Sequence, residues 1–332
     1  MDLPDITWLL DPSSPGVRYL ALRDLAGLSD GSPELEAARR EAHTSGPIAG
    51  ILEKMQPEGF WSKPGPGYSP KYYSSVWALI TLAQLGASLE LDERIARACA
   101  YNLDHALTPL GHFAYNGKPS GTIDCLQGNL CASLIAMGCK DPRLDAAYEW
   151  MARSVTGDGI APGTEKSAEL RYYAYKCGPC FACGANLKQP CAWGAVKVMW
   201  AFAELPPAKR TPLVEKAITG GVDFLLSVDP AAAAYPTGQA DKPNSSWWKF
   251  GFPVFYITDI LQAAEVLVRL GLGKDPRLAN TLALIRSKQD SQGRWVLEYE
   301  YNGKCRMNSG RKKEPSPWVT LRALRVLKQA EM

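Results

Sequence analysis

Three stretches of the chain are built to one pattern. Leu85-Gly86, Met137-Gly138 and Leu270-Gly271 each lead to an aspartate two places before an arginine: Asp92 and Arg94, Asp141 and Arg143, Asp275 and Arg277. Each then runs through a segment with one polar face to Gly111-His-Phe113, Gly159-Ile160 or Gly293-Arg-Trp295, 18 or 19 residues after the aspartate. A period held this closely marks a repeated supersecondary unit whose copies stack, because no single copy can bury its own apolar face. A looser copy runs from Leu205 through Thr211-Pro212 to Tyr235.

Apolar spacing punctuated by Pro and Gly predicts what alternates with these units. Segments 15–25, 72–85, 122–137, 191–205, 253–270 and 316–328 are apolar nearly all round, which suits buried helices, whereas the stretches between them suit an outer layer. Six inner helices wound alternately with about six outer ones predict an all-α fold, an (α/α)6 toroid spanning 1–332 as a single domain. The inner helices then run parallel and their N-termini gather at one end. Loops 68–73, 122–125, 177–193, 247–252 and 312–318 are therefore expected around one cavity mouth.

Composition narrows the class. The 37 basic and 34 acidic residues leave a net charge of +3, without the basic face a nucleic-acid partner would require. No apolar run approaches the roughly 20 residues that span a bilayer, so no transmembrane segment is expected. The N-terminus lacks a basic stretch followed by an apolar one, and nine cysteines are an odd number. Together these predict reduced thiols and a cytoplasmic protein. Oligomeric state is left open.

Gln289-Asp-Ser-Gln-Gly293-Arg-Trp295 has the spacing Gln-x3-Gly-x-Trp, and Gln56-Pro-Glu-Gly59-Phe-Trp61 is a copy one residue shorter. The pattern resembles the QW repeat of squalene and other triterpene cyclases. The resemblance implies the toroid shared by those cyclases and the β subunits of protein prenyltransferases, a hydrophobic isoprenoid-type small-molecule substrate, and cyclisation, isomerisation or transfer as the reaction. The chain departs from both families. It has neither the Asp-x-Asp-Asp nor the Asp-Asp-x-x-Asp motif; Asp124 and Cys125 are adjacent where prenyltransferases have Asp-x-Cys; and His43, His105 and His112 all fall outside the inner helices.

Cys177-x2-Cys180-x2-Cys183-x7-Cys191 is the densest candidate site. Its short spacings suit thiolate ligation of zinc, with an iron-sulfur cluster or a redox thiol pair as the other readings. The preferred zinc set is Cys125, Cys183 and Cys191, with Cys177 or Cys180 as a fourth. Asp259, taken as an unpaired carboxylate inside an apolar helix, is the expected general acid, with Tyr256 on its face and Asp124 as a second candidate. Tyr72, Tyr73, Trp77, Trp193, Trp247, Trp248, Phe252 and Trp318 are expected to line the substrate pocket, where aromatic faces stabilise a cation. Two other functions remain open: a non-catalytic binding toroid with a structural zinc, and a carbohydrate-active barrel using Asp124 and Asp259 as facing carboxylates.

Overall fold

The computed structural model describes residues 6–238 and 243–332. Residues 1–5, part of the stretch read for an export signal, lie outside the described residues. Twelve α-helices are present among them: α1 (Pro15–Asp24), α2 (Pro33–Thr44), α3 (Gly46–Leu52), α4 (Ser75–Gln84), α5 (Glu93–Ala106), α6 (Asp124–Ala136), α7 (Arg143–Thr156), α8 (Ala192–Glu204), α9 (Pro212–Leu225), α10 (Ile260–Leu267), α11 (Ala279–Ser287) and α12 (Pro317–Glu331). A two-stranded parallel ladder pairs β1 (Gly251–Phe252) with β2 (Tyr299–Glu300).

Helices α1, α4, α6, α8, α10 and α12 form the inner layer. α4 packs on α6, α6 on α8, α8 on α10, α10 on α12, and α12 on α1. Tyr19 and Leu20 of α1 close the circle against Gly86, just past α4. All six inner helices line one cavity of about 150 Å³ towards their C-terminal ends. The ring is an all-α toroid. Outside it lie α2 with α3, α5, α7, α9 and α11. Instead of a sixth outer helix, the 3-10 turn Thr7–Leu10 covers α1 and α12.

The repeat has a physical basis in each of its parts. Asp92, Asp141 and Asp275 each accept the backbone N–H of the arginine two residues on, at 2.9 Å, and also bind that arginine's guanidinium. The pair starts each outer segment by satisfying an N–H that the helix leaves open. Gly86, Gly138 and Gly271 have φ of 79°, 92° and 88°, the left-handed conformation that ends an inner helix and that a side chain would oppose.

The Gly-x-aromatic turns share one hydrogen-bond scheme. The N–H of Gln56, Thr108 and Asp290 donates to the carbonyl four residues on, and the carbonyl of the same residue accepts in turn from the N–H of Gly59, Gly111 and Gly293. Asp290, not Gln289, therefore occupies the place of Gln56, and the two QW-like segments are equal in length once aligned by this bond. Trp61 and Trp295 then send Nε1 to the carbonyls of Ile51 and Ile285, and their backbone N–H to the hydroxyls of Ser75 and Thr320 on the following inner helix. Gln127 does the same for Phe113. Each turn is thus an indole or phenyl wedge pinned between an outer and an inner helix.

Two boundaries differ from expectation. α4 begins at Ser75 rather than 72, and α10 begins at Ile260 rather than 253. Residues 251–259 are kept out of the helix by the β1–β2 pairing at Gly251 and Phe252 and by Asp259, whose carboxylate caps α10 by accepting from Gln262 N at 2.7 Å.

Candidate functional site

The loop that carries the cysteines is drawn to the start of α6 by a short parallel pairing of Ile123 with Lys176. It then folds back on itself, Ala182 opposite Pro190, with Cys191 N donating to Phe181 O at 3.0 Å and Cys183 N to Gln189 O at 3.2 Å. This hairpin brings the Cys183 and Cys191 side chains together. The Cys191 thiol donates to Cys183, which pulls the Cys183 thiol down and pushes Cys191 up; the N–H groups of Ala185 and Asn186 favour the Cys183 thiolate further. Cys183, Cys191, Trp193, Tyr235 and Trp247 line a cavity of about 430 Å³.

Asp124, the first residue of α6, stands behind that cavity. It and Cys191 both abut Gly194 of α8, where a Cβ would lie 3.4 Å from Asp124 Cβ and 3.8 Å from Cys191 Cβ. The carboxyl is buried and its Oδ2 has no hydrogen-bond partner. Burial, with the Cys183 thiolate beside it, pushes the Asp124 carboxyl well above the usual carboxylate range. Both effects favour the protonated form of this carboxyl.

Cys125 faces the ring interior, where burial pushes its thiol up to about 12. Cys177 is buried against Asp124 and raised for the same reason. Cys180 is exposed, in a left-handed conformation with φ of 49°. Among the described residues no group of three or more His, Cys, Asp and Glu side chains is placed to hold a metal ion. The arrangement does not fit the expected zinc, and no step below is routed through a metal.

The aromatic residues divide into two groups. Trp193 and Trp247 line the 430 Å³ cavity with Tyr235. Tyr72, Trp77 and Tyr256 instead cluster with Tyr68, Phe255 and Tyr301, the Trp77 ring lying 4.9 Å from Tyr72, 5.1 Å from Tyr256 and 5.3 Å from Tyr68. Lys71 sits over the Tyr72 and Tyr256 rings at 5.0 and 5.6 Å. Phe252 and Trp318 stack on each other at 4.5 Å as buried packing, Trp248 Nε1 is tied to Ala231 O, and Tyr73 is exposed against Arg306.

Asp259 is not the unpaired carboxylate the sequence suggested. Arg322 of α12 grips it through two bonds of 2.9 and 3.0 Å, and Gly251 N donates to it as well. Paired and outside the helix, it has a structural role, and Tyr256 turns away from it into the aromatic cluster. This also removes one of the two facing carboxylates a glycoside-cleaving barrel needs.

Sequence reasoning missed Lys197. It is fully buried in α8, its ammonium bonded to Gln262 Oε1, and burial pulls its pKa down to about 7. The signal was present: a lysine in the middle of Ala-Trp-Gly-Ala-Val-Lys-Val-Met-Trp breaks an apolar helix as Asp259 was thought to do.

No family model matches the chain, and no curated protein does. Solved structures do match. A protein from Actinoplanes is 14% identical, with 90% of this chain and 100% of that chain covered and a TM-score of 0.30. The type II terpene cyclase MstE from Scytonema in complex with geranylgeranyl dihydroxybenzoate is 13% identical over 89% of this chain and 96% of the other, with a TM-score of 0.31. A second, apo structure of that cyclase gives 15% identity, the same coverage and a TM-score of 0.33.

Proposed function

We propose that this protein is an enzyme acting on a hydrophobic, isoprenoid-like small molecule held in the 430 Å³ cavity, with Asp124 as the acid that protonates it. The observation that carries the reading is the Asp124 carboxyl: buried, partnerless at Oδ2, biased by burial towards its neutral form, and packed with Cys191 against Gly194 just behind an aromatic-lined cavity. A carboxylic acid in that state can donate its proton to an alkene or an ether oxygen. Trp193, Tyr235 and Trp247 present the aromatic surface that would face the cation so formed. The QW-like turns support the same substrate class through their resemblance to triterpene cyclases.

The test is incubation with prenyl diphosphates and with squalene, products being separated by gas chromatography and mass spectrometry, for the parent and for Asp124→Asn. Turnover by the parent and its loss in a folded Asp124→Asn is the expected result. Activity should also fall as pH rises through the raised Asp124 pKa, because only the protonated form donates. Turnover that survives in Asp124→Asn overturns the assignment; tight binding without turnover leaves a binding toroid.

A further inference from the structure

Two thiols in contact on the wall of a cavity can do chemistry that an isoprenoid reading does not use. Cys183 and Cys191 are brought together by the Ala182–Pro190 pairing, and both face the 430 Å³ cavity. The cavity's other walls include Trp193, Tyr235 and Trp247. They suit an apolar body carrying a small reactive group. Cys180, three residues away, is exposed and stands outside the cavity lining.

We propose that Cys183 and Cys191 form a peroxide-reactive dithiol whose substrate is an apolar organic hydroperoxide. The Cys183 thiolate attacks the terminal oxygen of the hydroperoxide, forming an S–O bond as the O–O bond breaks. The departing alkoxide takes a proton from water and leaves as the alcohol. Cys191 then attacks the sulfur of the Cys183 sulfenic acid; an S–S bond forms, and hydroxide leaves with the Cys191 proton as water. The two sulfurs lose one electron each, and the peroxide bond gains both. An external thiol restores the pair by exchange. Closing the bridge alters the wall of the cavity, so the oxidised form is also expected to bind apolar ligands differently.

Cumene hydroperoxide, with hydrogen peroxide as the probe lacking an apolar body, tests this on the full chain. No readout depends on isoprenoid turnover, so this proposal stands or falls apart from the acid assigned above. After brief treatment, free thiols are counted and the linkage mapped by peptide mass spectrometry. The expected result is loss of two thiols, a Cys183–Cys191 bridge reversed by dithiothreitol, and at least tenfold faster reaction with cumene hydroperoxide than at Cys180. Cys191→Ser should stop at a sulfenic acid on Cys183 that dimedone traps. A bridge joining other cysteines, oxidation confined to Cys180, or unreactive Cys183 in the parent overturns the proposal, and the parent map decides even if a variant misfolds.

Discussion

Replacing Lys197 with methionine should stabilise the protein, although it deletes a hydrogen bond. The ammonium is fully buried, and burial lowers its pKa from 10.5 to about 7. A lysine in the unfolded chain keeps its ordinary affinity, so between pH 7 and 10.5 the unfolded state binds more protons and stability rises with pH. At ~1.4 kcal/mol per pH unit the penalty is about 4 kcal/mol at pH 7, about 2 kcal/mol at pH 9 and nearly gone by pH 10.5. Methionine matches the stem in size and carries no charge. Gln262 Oε1 keeps a donor in Thr258 at 2.6 Å, so no buried acceptor is stranded. Urea unfolding of parent and Lys197→Met, followed by tryptophan fluorescence at pH 7 and pH 9, reads both values. A variant no more stable than the parent at pH 7, or a difference that fails to narrow by pH 9, refutes the reasoning. A residue held at such a cost suggests a role besides stability, and the same variant can be assayed for the turnover proposed above.

Arg322→Leu leaves the buried Asp259 carboxylate, and the half-buried Glu265 beside it, without their cation, and should cost about 3–5 kcal/mol in the same assay; under 1 kcal/mol would show that water reaches Asp259. Ser75→Ala and Thr320→Ala each strand the backbone N–H of a buried tryptophan, so similar losses of about 1–2 kcal/mol are expected, and a large difference between them would break the equivalence of the two turns. Gly128→Ala drives a methyl onto the Lys197 carbonyl where α6 and α8 touch; a fall in stability of about 1–3 kcal/mol should appear as a lower melting temperature, and an unchanged one would mean that the helices separate freely. The purified protein should carry zinc well below one ion per chain, and a stoichiometric value by atomic spectroscopy would return the thiols to metal ligation and displace the peroxide chemistry.

The toroid was legible because its signal is local and repeated. Asp-x-Arg caps, Leu-Gly stops and Gly-x-aromatic wedges lie within one hairpin each, and each works through bonds between residues close in the chain or one helix apart. The location of the thiols beside Asp124 was also readable, since a ring brings parallel helix starts to one end. Asp259 was taken as unpaired and Lys197 was passed over for one reason. Whether a charge inside an apolar stretch is paired depends on what a distant helix presents. Arg322, 63 residues along the chain, neutralises Asp259, while Lys197 meets only the amide of Gln262. Partner identity across the ring is a property of packing, and only the tertiary structure decided it.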